Sequence, residues 1–126
     1  MTQSQEDYLE MVSFLSDEGE VRVTDIASRL GFSKPSVFTA VKSLEEKELV
    51  EHKRYSTISL TAKGKALAKE IRERHNLLTE FLNKILGVNA ETAEKDACKM
   101  EHVLSEETLS KMEIMLNTKV KKNDGI

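Results

Sequence analysis

The sequence holds a single cysteine, no lysine or arginine before Arg22, and no apolar run near the ~18 residues a membrane span requires. One cysteine excludes an internal disulfide and any zinc site built from four thiolates, and it sets the expectation of a reduced, cytoplasmic setting. The N-terminus lacks the basic-then-apolar layout of a signal peptide, so neither export nor a membrane partner is expected. There is no His-Glu-x-x-His helix, no nucleophile motif and no glycine-rich phosphate loop. With 126 residues leaving little room for a substrate cleft, the expectation is a protein that is not an enzyme and takes no small-molecule substrate. Internal repeats and low-complexity segments are also missing.

What is present is unevenly distributed. Formal net charge is only -3, so bulk charge gives no reason to expect nucleic acid. Residues 53–74 nevertheless carry seven cations (Lys53, Arg54, Lys63, Lys65, Lys69, Arg72, Arg74) against Glu70 and Glu73. That polarity suggests one region that holds cations and another that holds phosphates.

The chain reads as mainly α with a small β-hairpin. Tyr8, Leu9, Val12 and Leu15 recur at helical spacing between about Gln5 and Leu15. Thr24 is placed to cap a short helix from Asp25 to Leu30 that stops at Gly31. Ser33 caps the next, with Pro35 in its first turn and Val37, Val41 and Leu44 as its buried stripe, ending near Glu48. Residues 49–52 and 57–60, separated by the basic tip Lys53-Arg54-Tyr55-Ser56, read as a hairpin. Thr61 caps a long helix with the stripe Ala68, Ile71, His75, Leu78, Leu82 and Ile85, ending at Leu86-Gly87. Asn89 starts a helix through about Leu104. Ser105 starts a last one, Thr108 to Leu116, and a flexible tail follows.

Helix, helix, turn, helix and basic hairpin is the order of a winged helix-turn-helix. The helix from Ser33 would enter the major groove of double-stranded DNA. Ser33, Pro35, Ser36 and Thr39 stand at its exposed start, with Lys34 and Lys42 adding charge attraction, and Lys53, Arg54 and Tyr55 at the hairpin tip face the adjoining phosphates. Phe38 has two readings, contact with a thymine methyl group or packing, and packing is favoured because most phenylalanines are buried. The bland alternative for the segment is a winged helix that contacts only protein.

Cys98, Glu101 and His102 stand at i, i+3 and i+4, so on a helix their side chains share a face and can converge on one divalent cation. Asp7, Glu10 and His75 are candidate co-ligands. Each has an ordinary alternative: His75 as a core histidine within an apolar stripe, Asp7 and Glu10 as surface carboxylates, Cys98 as a small buried hydrophobe, Glu101 and His102 as a solvated helix face. Against those stands the stripe Ala93, Ala97, Met100, Leu104, which already gives that helix its core-facing side. A regulator sensing oxidants directly through Cys98 is the alternative function.

These residues carry a resemblance. Glu6-Asp7-Tyr8-Leu9-Glu10, Ser33-Lys34-Pro35-Ser36-Val37, Leu60-Thr61-Ala62-Lys63-Gly64, Arg74-His75 and Cys98-Lys99-Met100-Glu101-His102-Val103-Leu104-Ser105 resemble motifs of the metal-dependent repressors related to the diphtheria toxin repressor and the manganese transport regulator. The likeness runs from Glu6 to about Leu116. It implies a winged helix-turn-helix DNA-binding domain over residues 1–70, a helical metal-binding and dimerisation domain over 71–118, and a flexible tail over 119–126. It also implies that Asp7, Glu10, His75, Cys98, Glu101 and His102 ligate Fe2+ or Mn2+, with Zn2+, Co2+ or Ni2+ able to bind in vitro. Asp7 and Glu10 match the manganese-responsive branch and Cys98 the iron-responsive one. Thr79 and Glu94 stand where the iron branch has ancillary ligands, and threonine makes a poor one. The implied function is repression of metal-uptake genes by a homodimer on an inverted-repeat operator, with the metal as corepressor. A bound ion would tie the first helix to the C-terminal helices.

Overall fold

A reciprocal cap opens the first helix: Thr2 Oγ1 accepts from Gln5 N at 3.1 Å while Gln5 Oε1 accepts from Thr2 N at 2.9 Å. Two of the donors that a helix start leaves unsatisfied are thereby met, and α1 runs Gln3–Glu18. The computed structural model describes residues 1–54 and 57–124, with side chains as far as Lys119; Tyr55 and Ser56 of the expected hairpin tip and the last two residues lie outside the described residues. The chain forms two compact units, Met1–Glu70 and Ile71–Ile126.

In the first unit α1 is followed by β1 (Val21–Arg22), α2 (Val23–Leu30), α3 (Lys34–Glu46), β2 (Val50–His52), β3 (Thr57–Leu60) and the start of α4 (Ala62–Glu80). The three-residue step of apolar positions in α1 buries Tyr8, Leu9, Val12 and Leu15, and α1 packs on α2 and α3, where Ile26, Val37, Val41 and Leu44 are buried too. Gln5 Nε2 donates to Ser43 Oγ and pins α1 to α3 at the edge of that core. Gly31, in the left-handed conformation at φ 70°, ends α2 and turns the chain into α3. Ser33 Oγ accepts from Ser36 N and Pro35 occupies the first turn, as expected from the sequence. The helix-turn-helix and its wing are the mainly α architecture anticipated.

Two local expectations change. The wing is a three-stranded antiparallel sheet of order β1-β3-β2, with Val21 opposite Ile58 and Val50 opposite Leu60. Val21 and Ile58 are both buried, so this pairing gives the wing a hydrophobic underside that a two-stranded hairpin lacks. The second helix starts at Val23, not after Thr24, because Asp25 Oδ2 accepts from Arg22 N and makes Arg22 the cap position.

The second unit contains the rest of α4, a π-helical turn Phe81–Ile85, α5 (Ala90–Met100) and α6 (Glu106–Asp124). Its core is Leu78, Ala97 and Leu109, with Leu77, Met100, Leu104 and Met112 packed around them. Asn89 Oδ1 accepts from Glu91 N and starts α5; Ser105 Oγ accepts from Thr108 N and starts α6. Asn89→Ala removes that cap at an exposed position, where only water can take its place. The expected cost is about 1 kcal/mol of stability, read as a lower urea midpoint with unchanged slope.

The fifth helix ends at Met100 rather than near Leu104. Val103 N and Leu104 N both donate to Met100 O, at 3.1 and 3.3 Å, which closes the helix in a tight turn. Glu101 still has helical dihedrals, φ -59° and ψ -20°, and its N donates to Ala97 O. The three-residue step from Cys98 to Glu101 therefore survives the earlier ending.

Candidate metal centre and DNA-facing surface

Among the described residues, one group of imidazole, thiol and carboxylate atoms draws together. The ligand atoms of His75, Cys98 and Glu101 all lie within 4.8 Å of one another. Atoms bonded at about 2.0–2.3 Å to one ion stand at most roughly 4.6 Å apart. The cluster is therefore within a small side-chain adjustment of holding one cation. The mixture of nitrogen, sulfur and oxygen donors suits a first-row transition ion rather than Ca2+ or Mg2+.

Burial makes Glu101 the centre of this group. Its side chain is 0% exposed, with Oε2 at 2.9 Å from His75 Nδ1 and Oε1 at 3.3 Å from His102 Nε2. Removing a carboxylate from water is costly, and a positive partner at the carboxylate is what offsets it. Helix α4 delivers His75 because it falls one turn before the core residue Leu78, and α5 delivers Cys98 one residue beyond the buried Ala97. Cys98 is exposed, so the cluster is open on its thiol side.

His102 stands outside the three-residue cluster and meets it through the second oxygen of Glu101. Asp7 and Glu10 belong to α1 in the first unit. Both are half-buried, and Glu10 Oε2 is a buried oxygen with no hydrogen-bond partner among the described residues. Tyr8 between them is in the core, where burial raises its phenol pKa above the ordinary range and keeps it neutral. Thr79 Oγ1 donates to His75 O and braces the backbone of the ligand helix. That role had no signal in the sequence beyond a threonine four residues after a histidine.

On the first unit, Ser33, Lys34, Pro35, Ser36, Thr39 and Lys42 are all exposed at the start of α3, as are Lys53 and Arg54 on the wing. Tyr55 lies outside the described residues. The hydroxyls are less available than their exposure suggests. Ser33 Oγ donates to Ser36 Oγ at 2.9 Å, and Thr39 Oγ1 donates to Pro35 O at 3.0 Å. Phe38 is not packed away: it is 42% exposed, with its ring centroid 5.7 Å from that of His52.

Comparison with known proteins identifies both domains. Residues 1–58 match the N-terminal DNA binding domain of the iron dependent repressors, and residues 61–125 match their metal binding and dimerisation domain. The chain is 47% identical over 105 residues to the transcriptional regulator MntR of Escherichia coli O6:H1, covering 82% of this chain and 67% of that protein. The solved manganese regulator SloR superposes with a TM-score of 0.78 at 30% identity, covering 93% of this chain and 55% of that one. A manganese-dependent transcriptional repressor in complex with manganese superposes at 0.80 with 26% identity, over 90% of this chain and 52% of that one. The chain thus spans about half the length of these solved regulators. A winged helix and a helical unit with a transition-metal donor set, each matched by the corresponding domain description, place the chain in the diphtheria toxin repressor and manganese transport regulator family of metal-dependent transcriptional repressors.

Proposed function

We propose that the protein is a homodimeric, cytoplasmic repressor of metal-uptake genes whose affinity for an inverted-repeat operator rises when Fe2+ or Mn2+ is bound. The observation that carries this reading is the His75, Cys98 and Glu101 cluster in a chain whose first unit is a winged helix-turn-helix with exposed cations. His102, next to Glu101, completes the donor set of the second unit in this proposal. On the family pattern Asp7 and Glu10 are further ligands, and the partnerless buried oxygen of Glu10 supports that assignment.

A bound divalent ion supplies positive charge opposite Glu101 and the Cys98 thiolate. His75 orients the Glu101 carboxylate, and Glu101 in turn holds the turn after α5 against α4. The ligands come from positions 75, 98 and 101, so loading the site fixes segments that are distant in the chain. Transmission to DNA is an allosteric linkage, for which about 1–3 kcal/mol, or roughly 5- to 150-fold in affinity, is typical. The α3 cations Lys34 and Lys42 and the wing cations Lys53 and Arg54 supply phosphate attraction, with Ser33, Pro35, Ser36, Thr39 and Tyr55 as the remaining proposed DNA contacts.

Candidate residues for the dimer seam separate by burial. Leu77 and Phe81 belong to the core of the second unit, whereas Ile114 and Met115 on α6 are 61% and 55% exposed and are available to a second copy. Two-fold pairing would present two α3 helices to two half-sites. The test is an anaerobic DNA-binding titration with Fe2+ and Mn2+ in turn, on the promoter of the chain's own gene and on those of neighbouring transporter genes. Affinity is expected to rise roughly 5- to 150-fold with metal and to fall back on chelation. Binding indifferent to chelators would remove the metal-dependent part of the reading.

A further inference from the structure

Helix α3 carries a stripe that hydrogen-bonding arguments alone do not account for. Lys34, Phe38 and Lys42 follow at four-residue steps and all three are exposed, which sets an aromatic ring between two cations on one helix face. The neighbouring hydroxyls have their protons committed, Ser33 Oγ to Ser36 and Thr39 Oγ1 to the Pro35 carbonyl. Donation to a base by those two hydroxyls would require breaking these two bonds. Phe38 is already solvent-facing, and its ring is held from the wing side by His52 at 5.7 Å with a 40° tilt. The backbone of His52 is anchored to α3, since its N donates to Glu45 Oε2 at 3.2 Å.

We propose that Phe38 is a sequence-reading residue of this protein: its ring contacts the 5-methyl group of a thymine in the major groove, and His52 is the positioning residue that sets the ring. Thymine is distinguished from cytosine in that groove by its methyl group, and an apolar side chain is what detects it. Lys34 and Lys42 attract the flanking phosphates regardless of sequence, so the specificity on this stripe falls to the ring. The inference rests on the DNA-binding reading above, and the experiment separates the two.

The full chain loaded with Mn2+ selects duplexes from a randomised pool, and each thymine of the selected duplex is then replaced by deoxyuridine, which lacks only the methyl group. For the unaltered protein one thymine in each half-site is expected to be sensitive, with a loss of roughly 4-fold per methyl removed. Phe38→Ala is expected to bind the thymine and deoxyuridine duplexes equally at that position, and Phe38→Leu to keep part of the preference. His52→Ala should reduce the preference while leaving the salt dependence of binding intact. Phe38 is not part of the buried core, so both its variants are expected to fold, which a thermal melt measured alongside checks. A Phe38→Ala protein that retains the full preference, or selected duplexes with no methyl-sensitive thymine, overturns the inference while DNA binding stands. If the Mn2+-loaded chain retains no duplex at all, the DNA-binding reading and the inference fail together. Full preference in His52→Ala overturns the positioning role.

Discussion

Glu101→Gln is expected to weaken Mn2+ and Fe2+ binding by more than about 100-fold, beyond the 10- to 100-fold typical for losing a residue that only supports a ligand. Glutamine keeps the shape and one carbonyl oxygen, so His75 retains a hydrogen-bonding neighbour, but the negative charge at the centre of the donor set is gone. The metal-free chain is a separate quantity: glutamine fills the same buried space, so the melting temperature is the control for folding. Competition titration against a chromophoric chelator reads the first quantity and a thermal melt with added chelator reads the second. Metal affinity within a factor of two of the original would remove Glu101 from the site. Weakened metal binding accompanied by a collapsed melt would show that the residue matters chiefly for folding.

Gly64→Ala should produce the largest loss of stability available from a single added methyl group in the first unit. A Cβ on Gly64 would lie 1.9 Å from Leu49 O and 2.9 Å from Leu49 C, both backbone atoms. Neither can step aside. Leu49 O accepts from Thr61 N, while Thr61 Oγ1 donates to Glu48 O and accepts from Gly64 N. These bonds lock the base of the wing to the first turn of α4. Inserting volume into such a junction costs about 1–3 kcal/mol or more. At roughly 4–8 °C per kcal/mol for a small domain, the melting midpoint should fall by at least about 5 °C. An unchanged midpoint would mean that the close approach of α4 to Leu49 is not maintained in solution. This explains the glycine of the Leu-Thr-x-x-Gly element by packing rather than by turn conformation.

Much of this was readable before any coordinates. The α1 stripe Tyr8, Leu9, Val12, Leu15 is buried residue for residue, because an amphipathic helix writes its burial into a local period. Ser33, Asn89 and Ser105 cap helices as their chemistry predicts. Strand β1 leaves no mark in the sequence, because it is two residues long and is defined only by pairing with Thr57 and Ile58, far along the chain. A pattern search has no period to detect in Val21-Arg22. The ending of α5 is hidden for the converse reason. Met100 and Leu104 both pack on the core, so the apolar spacing continues past the point where the backbone turns. At the site, spacing identified Cys98 and Glu101, but nothing local indicated that Glu101 would be the buried member, with His75 on one oxygen and His102 on the other. The exposure of Phe38 is likewise not legible in the sequence. Aromatic residues are buried on average, and an average gives no weight to a ring that lies against a wing histidine.

The π-helical turn Phe81–Ile85 has a bearing on anyone who would build chimaeras from this chain. A wide turn advances the backbone by less rotation per residue than an α-helix does, so five residues of it fall behind by roughly a quarter of a revolution. Transplanting the helical unit with that stretch idealised would keep its sequence while swinging everything after Ile85 by that angle relative to the buried Phe81 and Leu82. A graft therefore has to copy the irregular winding along with the side chains.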